Sequence, residues 1–272
     1  MATGKKRLMT APVITSRCGI FSPTIRQGKT NWSGNSRWAE VVVKGEITQI
    51  HRGVLDAIFG YALDSRILET GEVEILFDPY QIAKVTGSSR DYKWLASKIN
   101  KSIFKDLGDV MVCVKDIDTG VTYTGGIVSD WRSANVRKSM PGGALTGHRL
   151  LMSVTISAVW MRLHLDIMCV EYRELMPAIS RLKAGVLQAL VRFCLTHCVL
   201  NMKLEEVLRH IGAIDDKTSK RTCQRLIKIV NESDLSVFGI LIKNNIVFYM
   251  QHDQVKFKNP SGDSNCAVRD TT

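Results

Sequence analysis

Lys217, Lys220, Arg221, Arg225 and Lys228 place five cations in the twelve residues KTSKRTCQRLIK, with no acid among them. Two kinds of chemistry suit such a stretch. Lysines hold phosphate oxygens as point charges, while Arg and Gln carry paired groups that match guanine O6/N7 and adenine N6/N7. Arg221, Gln224 and Arg225 are therefore candidate base readers, and Lys217, Lys220 and Lys228 candidate phosphate contacts. Ser219 opens the run, where a helix N-terminus adds hydroxyl and amide donors for phosphate. A related pattern lies upstream in SSRDYKWLASKINKSIFKDLG. There Lys93, Ser97, Lys101 and Lys105 recur every fourth residue, and Ser88, Ser89 and Arg90 stand at the start. Arg90 and Lys93 are the candidate readers of this stretch, and Lys101 and Lys105 its phosphate contacts. Arg132, Arg137 and Lys138 add a third basic group in RSANVRKSMPGGALTGH.

Cationic faces also arise where Lys and Arg merely keep a helix soluble. Solvated faces usually interleave acids with bases, because like charges at i,i+4 oppose a helix by a few tenths of a kcal/mol each. Neither row contains an acid. Phosphates that cancel the repulsion explain that pattern better than solvation does. The whole chain agrees in sign: 37 Lys and Arg against 26 Asp and Glu give a formal net charge of +11 over 272 residues. Such a balance makes a polyanion the leading class of partner.

An anionic membrane is the other polyanion to weigh. The most apolar window, Leu150 to Val170, is broken by Arg162, His164 and Asp166, whereas a spanning helix needs about 20 apolar residues with few charges. No membrane segment is expected. MATGKKRLMTAPV has a basic start but no long apolar run after it, so no secretory signal is expected either. Seven cysteines at irregular spacing suggest reduced thiols in a cytoplasmic protein. Cys194, His197 and Cys198 cluster soft ligands, yet no second cluster completes a tetrahedral site. They read as small core residues of a helix, and no metal or cofactor is expected.

Elements must position these side chains. Residues 1–38 lack apolar periodicity and read as a flexible basic arm. EVVVKGEITQI suits a strand and HRGVLDAIFGYAL a helix. VEILF is a short strand. In DPYQIAKVTG, Asp78 is a plausible N-cap, Pro79 the first helical residue and Gly87 the terminator. The basic helix follows at once, giving the appearance of a helix-turn-helix. DVMVCVKDIDTGVTYTGGIVSDW then reads as a hairpin, and 132–148 as a Gly-rich linker loop. Beyond it, MSVTISAVWMRLHLD and CVEYRELM look strand-like. SRLKAGVLQALVRFCLTHC reads as one long amphipathic helix, MKLEEVLRHIGA as a short helix ended by Gly212, and KTSKRTCQRLIK as the second basic helix. FGILIKNNIVFYMQH is a hairpin turning at Asn244 and Asn245. The element order repeats, so the expected fold is α+β: two tandem winged-helix domains over 39–131 and 149–256, with a disordered tail at 257–272.

The strings FDPYQIAKVTG…KWLASKINKSIFKDL, ELMPAISRLKAGVLQALVRFCLTH, MKLEEVLRHIG and TSKRTCQRLIKIV, in this order, resemble plasmid replication initiators of the double winged-helix, TrfA-like type. The likeness covers about residues 40 to 255. It implies a bacterial, plasmid-associated protein that binds repeated origin sites (iterons) in double-stranded DNA, promotes opening of an adjacent AT-rich segment and recruits the host initiator and replicative helicase. It also implies a monomer–dimer equilibrium. The N-terminal arm has no counterpart in that resemblance. A winged-helix transcriptional regulator is the rival reading, since residue chemistry serves both. An enzyme is not expected: there is no GxxxxGK[ST] loop, the carboxylates are scattered, and no His pair accompanies Tyr80, Tyr92 or Tyr123.

Overall fold

A computed structural model describes residues 11–23, 31–86, 97–139 and 145–258. For Lys101, Arg137 and Lys138 the description extends to the backbone alone. Gly87, Ser88, Ser89, Arg90 and Lys93 lie outside the described residues, as does the expected tail from 259 on, whereas the first two residues of that tail, Phe257 and Lys258, belong to the strand Lys256–Lys258.

The chain begins with β1 (Ala11–Pro12) and a helical turn, α1 (Ile14–Arg17). Next come β2 (Asn31–Asn35), β3 (Ala39–Lys44) and α2 (Gln49–Gly60). Then follow β4 (Asp64–Ile67), β5 (Val73–Phe77) and α3 (Pro79–Val85). Asp78 caps α3 by accepting from Tyr80 N–H at 2.9 Å, with Pro79 at its first turn, as its sequence requires. A π turn (Ile99–Ile103) runs into α4 (Phe104–Asp109). Ile99, Ile103, Phe104 and Leu107 form the buried stripe of this segment. It is tied to α2 by His51, whose Nδ1 accepts from Thr48 N–H while Nε2 faces Asp106 Oδ2 at 3.1 Å.

Four strands follow: β6 (Met111–Asp116), β7 (Thr122–Gly125), β8 (Val128–Ser139) and β9 (Leu145–Ile156). Residues 132–148, expected as a linker loop, are thus mostly the paired arms of a long antiparallel hairpin. Composition hid this, because only Val136 in RSANVRKS favours a strand; cross-strand pairing supplies what local propensity does not. Of the hairpin expected over 109–131, β6 and β7 pair, but they do not join β5, and residues 128–131 belong to β8. They join β3 and β2 in a separate four-stranded sheet, ordered β2-β3-β6-β7. Their intended place is taken by β8 and β9, in the sheet β4-β5-β9-β8.

The window around Trp160 departs from expectation as well. Ala158–Asp166 is α5, started by Ser157, whose hydroxyl accepts from Trp160 N–H. The strand-like alternation there covers only the end of β9. The short β10 (Cys169–Glu171), α6 (Met176–Arg181) and α7 (Gly185–Cys194) follow. The single long helix expected over 180–198 is therefore split into α6 and α7. The remaining elements are β11 (Val199–Lys203), α8 (Leu204–His210), α9 (Lys220–Asn231), β12 (Ile240–Lys243), β13 (Ile246–Met250) and β14 (Lys256–Lys258). Gly212 adopts φ +70° after α8, and Asn244 and Asn245 adopt φ +52° and +58° at the β12–β13 turn, both as the residue types demand.

One topology occurs twice. In the first half it is α2, β5, α3, the π turn with α4, then the β8–β9 hairpin. In the second it is α7, β11, α8, α9, then the β12–β13 hairpin. Each time the strand before the second helix pairs antiparallel with the last strand of the hairpin, β5 with β9 and β11 with β13; β4, between α2 and β5, has no counterpart in the second half. The β2-β3-β6-β7 sheet is an addition to the first copy. Buried residues from Ala11 to Phe257 form one continuous core across both halves.

Residues 11–23 correct the expectation of a flexible arm. Ala11, Val13, Ile14, Cys18, Ile20 and Phe21 are buried, and so are Thr15, Ser16 and Arg17. This strap pairs with β10 and hydrogen-bonds to the start of α2 through Ser22. Residues 31–35 and 39–44 pair as β2 and β3. Cys18, Cys113, Cys169, Cys194 and Cys223 are free thiols, as expected, whereas Cys198 is disulfide-bonded. Among the described residues, no helix is long and apolar enough to cross a membrane.

Candidate nucleic-acid interface

The α9 helix begins at Ser219, whose hydroxyl accepts from Thr222 N–H at 3.3 Å. Leu226 and Val230 are buried on one side, with Cys223 and Ile227 partly buried beside them. Lys220, Arg221, Gln224, Arg225 and Lys228 are exposed on the other. The helix is sorted into an apolar and a cationic face, as its spacing predicts.

Flanking acids are already engaged. Arg209 donates to Asp216 at 2.8 Å and to Glu205 at 3.3 Å. These two partners raise the Arg209 pKa. Asp215 closes the turn before α9: its carboxylate accepts from the Thr218 hydroxyl at 2.7 Å and from Lys217 N–H at 3.1 Å. Lys228 has an acid one turn on, with Nζ 3.7 Å from Glu232. Exposed pairs of this kind contribute about 0–1 kcal/mol, so phosphate can displace Glu232. Among the described residues, no ion pair takes up Lys217, Lys220, Arg221 or Arg225. Lys217, Lys220, Arg221 and Arg225 are therefore available, while the acids that precede α9 are engaged elsewhere.

Upstream, Ser97 and Lys105 are exposed on the helical segment that leads into and forms α4. Between them, Phe104 N–H donates to Ile99 O across the π turn, a feature frequent at functional sites. Arg132 is 77% exposed and its Nε lies 2.9 Å from Asp130, a screened pair that leaves it accessible. Arg137 and Lys138 lie on β8, near the end of the long hairpin, rather than on a linker.

Sequence reasoning gave the β12–β13 turn no part in the candidate surface. Asn231, at the end of α9, donates to the Asn245 side chain at 2.8 Å, and Leu204 N–H to Asn245 O at 2.8 Å. These bonds tie the hairpin tip to both helices. Lys203 and Lys243 flank Ile246 across the sheet and are exposed. The Asn-Asn turn was the legible signal; isolated strand lysines carry none.

No family model and no curated protein sequence matches the chain. Among solved structures, the chain is similar to the selenomethionine crystal structure of domains 2 and 3 of RctB. That likeness has a TM-score of 0.49 and 10% identity, and covers 90% of this chain and 100% of that one.

Proposed function

We propose that this chain is a sequence-specific double-stranded DNA-binding protein that initiates plasmid replication, built from two tandem winged-helix modules. The observation that carries the reading is α9: a capped, exposed helix with Arg221, Gln224 and Arg225 on one face and, among the described residues, no acid paired with them. Such a helix fits the major groove, where Arg and Gln discriminate guanine and adenine. Lys217, Lys220 and Lys228 hold phosphates and set the register. The repeated helix–strand–helix–helix–hairpin topology supports the winged-helix assignment, with β8–β9 and β12–β13 as the wings. On this reading the module boundary follows Ile156, at the end of the first wing. Ser88, Ser89, Arg90, Lys93, Ser97, Lys101 and Lys105 are assigned to the first module's reading helix, and Arg132, Arg137 and Lys138 to its wing.

Two reading helices on one chain allow a monomer to occupy an asymmetric site. An initiator of this kind binds direct repeats, opens an AT-rich segment and engages the host initiator and replicative helicase; no step requires catalysis or a cofactor. Footprinting of the purified protein over its own replicon is the test. Protection of several short direct repeats, and failure of a repeat-bearing mini-plasmid to replicate without the protein, is the expected result. Protection confined to one promoter, with replication unaffected, would assign the chain to transcriptional control instead.

A further inference from the structure

The two halves meet at a buried polar junction. Arg52 of α2 and Arg192 of α7 are each 2% exposed, and Asp56 between them is 1% exposed. Asp56 Oδ1 lies 2.6 Å from Arg52 Nε. Its Oδ2 lies 2.9 Å from Arg192 Nε and accepts from the Tyr172 hydroxyl at 2.8 Å. One carboxylate thus serves two guanidiniums, leaving an excess of one positive charge out of water. An uncompensated buried charge is strongly destabilising.

Among the described residues, no local group supplies the missing negative charge. Burial, reinforced by Asp56, pushes the Tyr172 phenol up to about 12, so it stays neutral. Arg52 stays charged: burial works against its cation, but Asp56 and Tyr172 outweigh that and raise its pKa. Between the strap, α2 and α7 lies a cavity of water-molecule size, lined by Arg52, Arg192, Gln49, Thr15 and Ser16 but by no carboxylate. Arg192 Nη1 donates to Gln49 at 2.9 Å, and no described atom accepts from its Nη2. Ser16 accepts from Arg52 at 3.2 Å, and no described atom takes its own proton. Thr15, in contrast, already donates to Pro12 O at 2.7 Å.

We propose that this junction binds a small monovalent anion, of the size and charge of chloride, which neutralises the excess guanidinium and fastens the N-terminal strap to both halves. The ion receives N–H donors from Arg192 and Arg52 and the Ser16 hydroxyl. A cavity of this size excludes phosphate and leaves room for at most one small ion.

Crystals of the full chain soaked in sodium bromide test the site, with thermal unfolding in chloride or bromide against gluconate at fixed ionic strength alongside. An anomalous bromide peak within hydrogen-bond reach of Arg192 and Ser16 is expected, with halide raising Tm by about 2 °C or more. Arg192→Gln removes the excess charge, and its stability should not distinguish halide from gluconate. Absence of the bromide peak would overturn the proposal and assign the cavity to water. So would an equal halide effect in Arg192→Gln, which would move the ion to the surface. If that variant does not fold, the bromide peak in the unaltered protein decides alone.

Discussion

On the proposed reading, individual side chains on α9 do separable work. Lys217, Lys220 and Lys228 are flexible point charges, whereas Arg221, Gln224 and Arg225 carry the geometry to recognise a base edge. Lys217→Ala should lower affinity about equally for all duplexes and reduce the slope of log K against log salt by roughly one unit. Fluorescence anisotropy over a salt series reads both quantities; a selective loss on one sequence would make Lys217 a reader. Histidine supplies a second residue-scale expectation. His197 is fully buried against Phe193 and Trp38. Burial, with Arg17 nearby, lowers its pKa from 6.5 to about 3. In the unfolded chain it takes up a proton near pH 6.5, while in the folded chain it does not, so its stabilising share is complete above that value. Stability is then lost progressively from about pH 6.5 towards pH 3, by up to tenfold in the folding equilibrium per pH unit. Denaturant midpoints measured between pH 7.5 and 5 should fall, and His197→Asn should flatten the fall. An unchanged acid slope in that variant would remove His197 from the account.

Elements differ in how openly their sequences announce them. Helix α3 carries its own start signals in Asp78 and Pro79, and α9 its own face pattern, so both are legible residue by residue. The β12–β13 hairpin is marked by Asn244 and Asn245. The β6–β7 hairpin is legible as a hairpin, but the sheet it joins is not, because its partner β3 lies about seventy residues earlier in register, Val41 opposite Val114. The strap was least legible. Thr15, Ser16 and Arg17 look like solvent-facing residues and become buried because they meet specific partners: Arg52 at 2.6 Å from Thr15, and Thr196 at 3.1 Å from Arg17. Backbone geometry fixes that strap. Gly19 has φ +61°, and a Cβ there would meet the Ile211 carbonyl carbon and oxygen at 2.8 Å. Gly19→Ala therefore strains the backbone and collides with the end of α8, and should cost about 1–3 kcal/mol. Chemical denaturation reads the loss, and limited proteolysis within 11–23 should quicken. Unaltered stability would mean the strap is not packed against α8.

At the scale of the whole molecule, one core joins two copies of the same topology, and a net charge of +11 surrounds it. On the proposed reading, that charge draws in any duplex and makes association fall steeply with salt. It confers no preference among sequences. Preference has to come from a few exposed donors held in a fixed frame, and on the proposed reading the second half supplies them: Ser219 caps α9, Arg209 occupies two neighbouring acids, and Asn245 pins the hairpin tip to the helix. If both halves contact bases as proposed, the shared core fixes one contact relative to the other, which a flexible linker between modules would not do. Selection of bound duplexes from a random pool, run in parallel with the unaltered protein and with Arg221→Ala/Arg225→Ala, tests this most directly. The unaltered protein should enrich one motif, and the double variant should lose about 10-fold or more of discrimination at the positions those arginines read, while still retaining duplex DNA at low salt. Equal enrichment of the same motif by both proteins would contradict the assignment of recognition to α9.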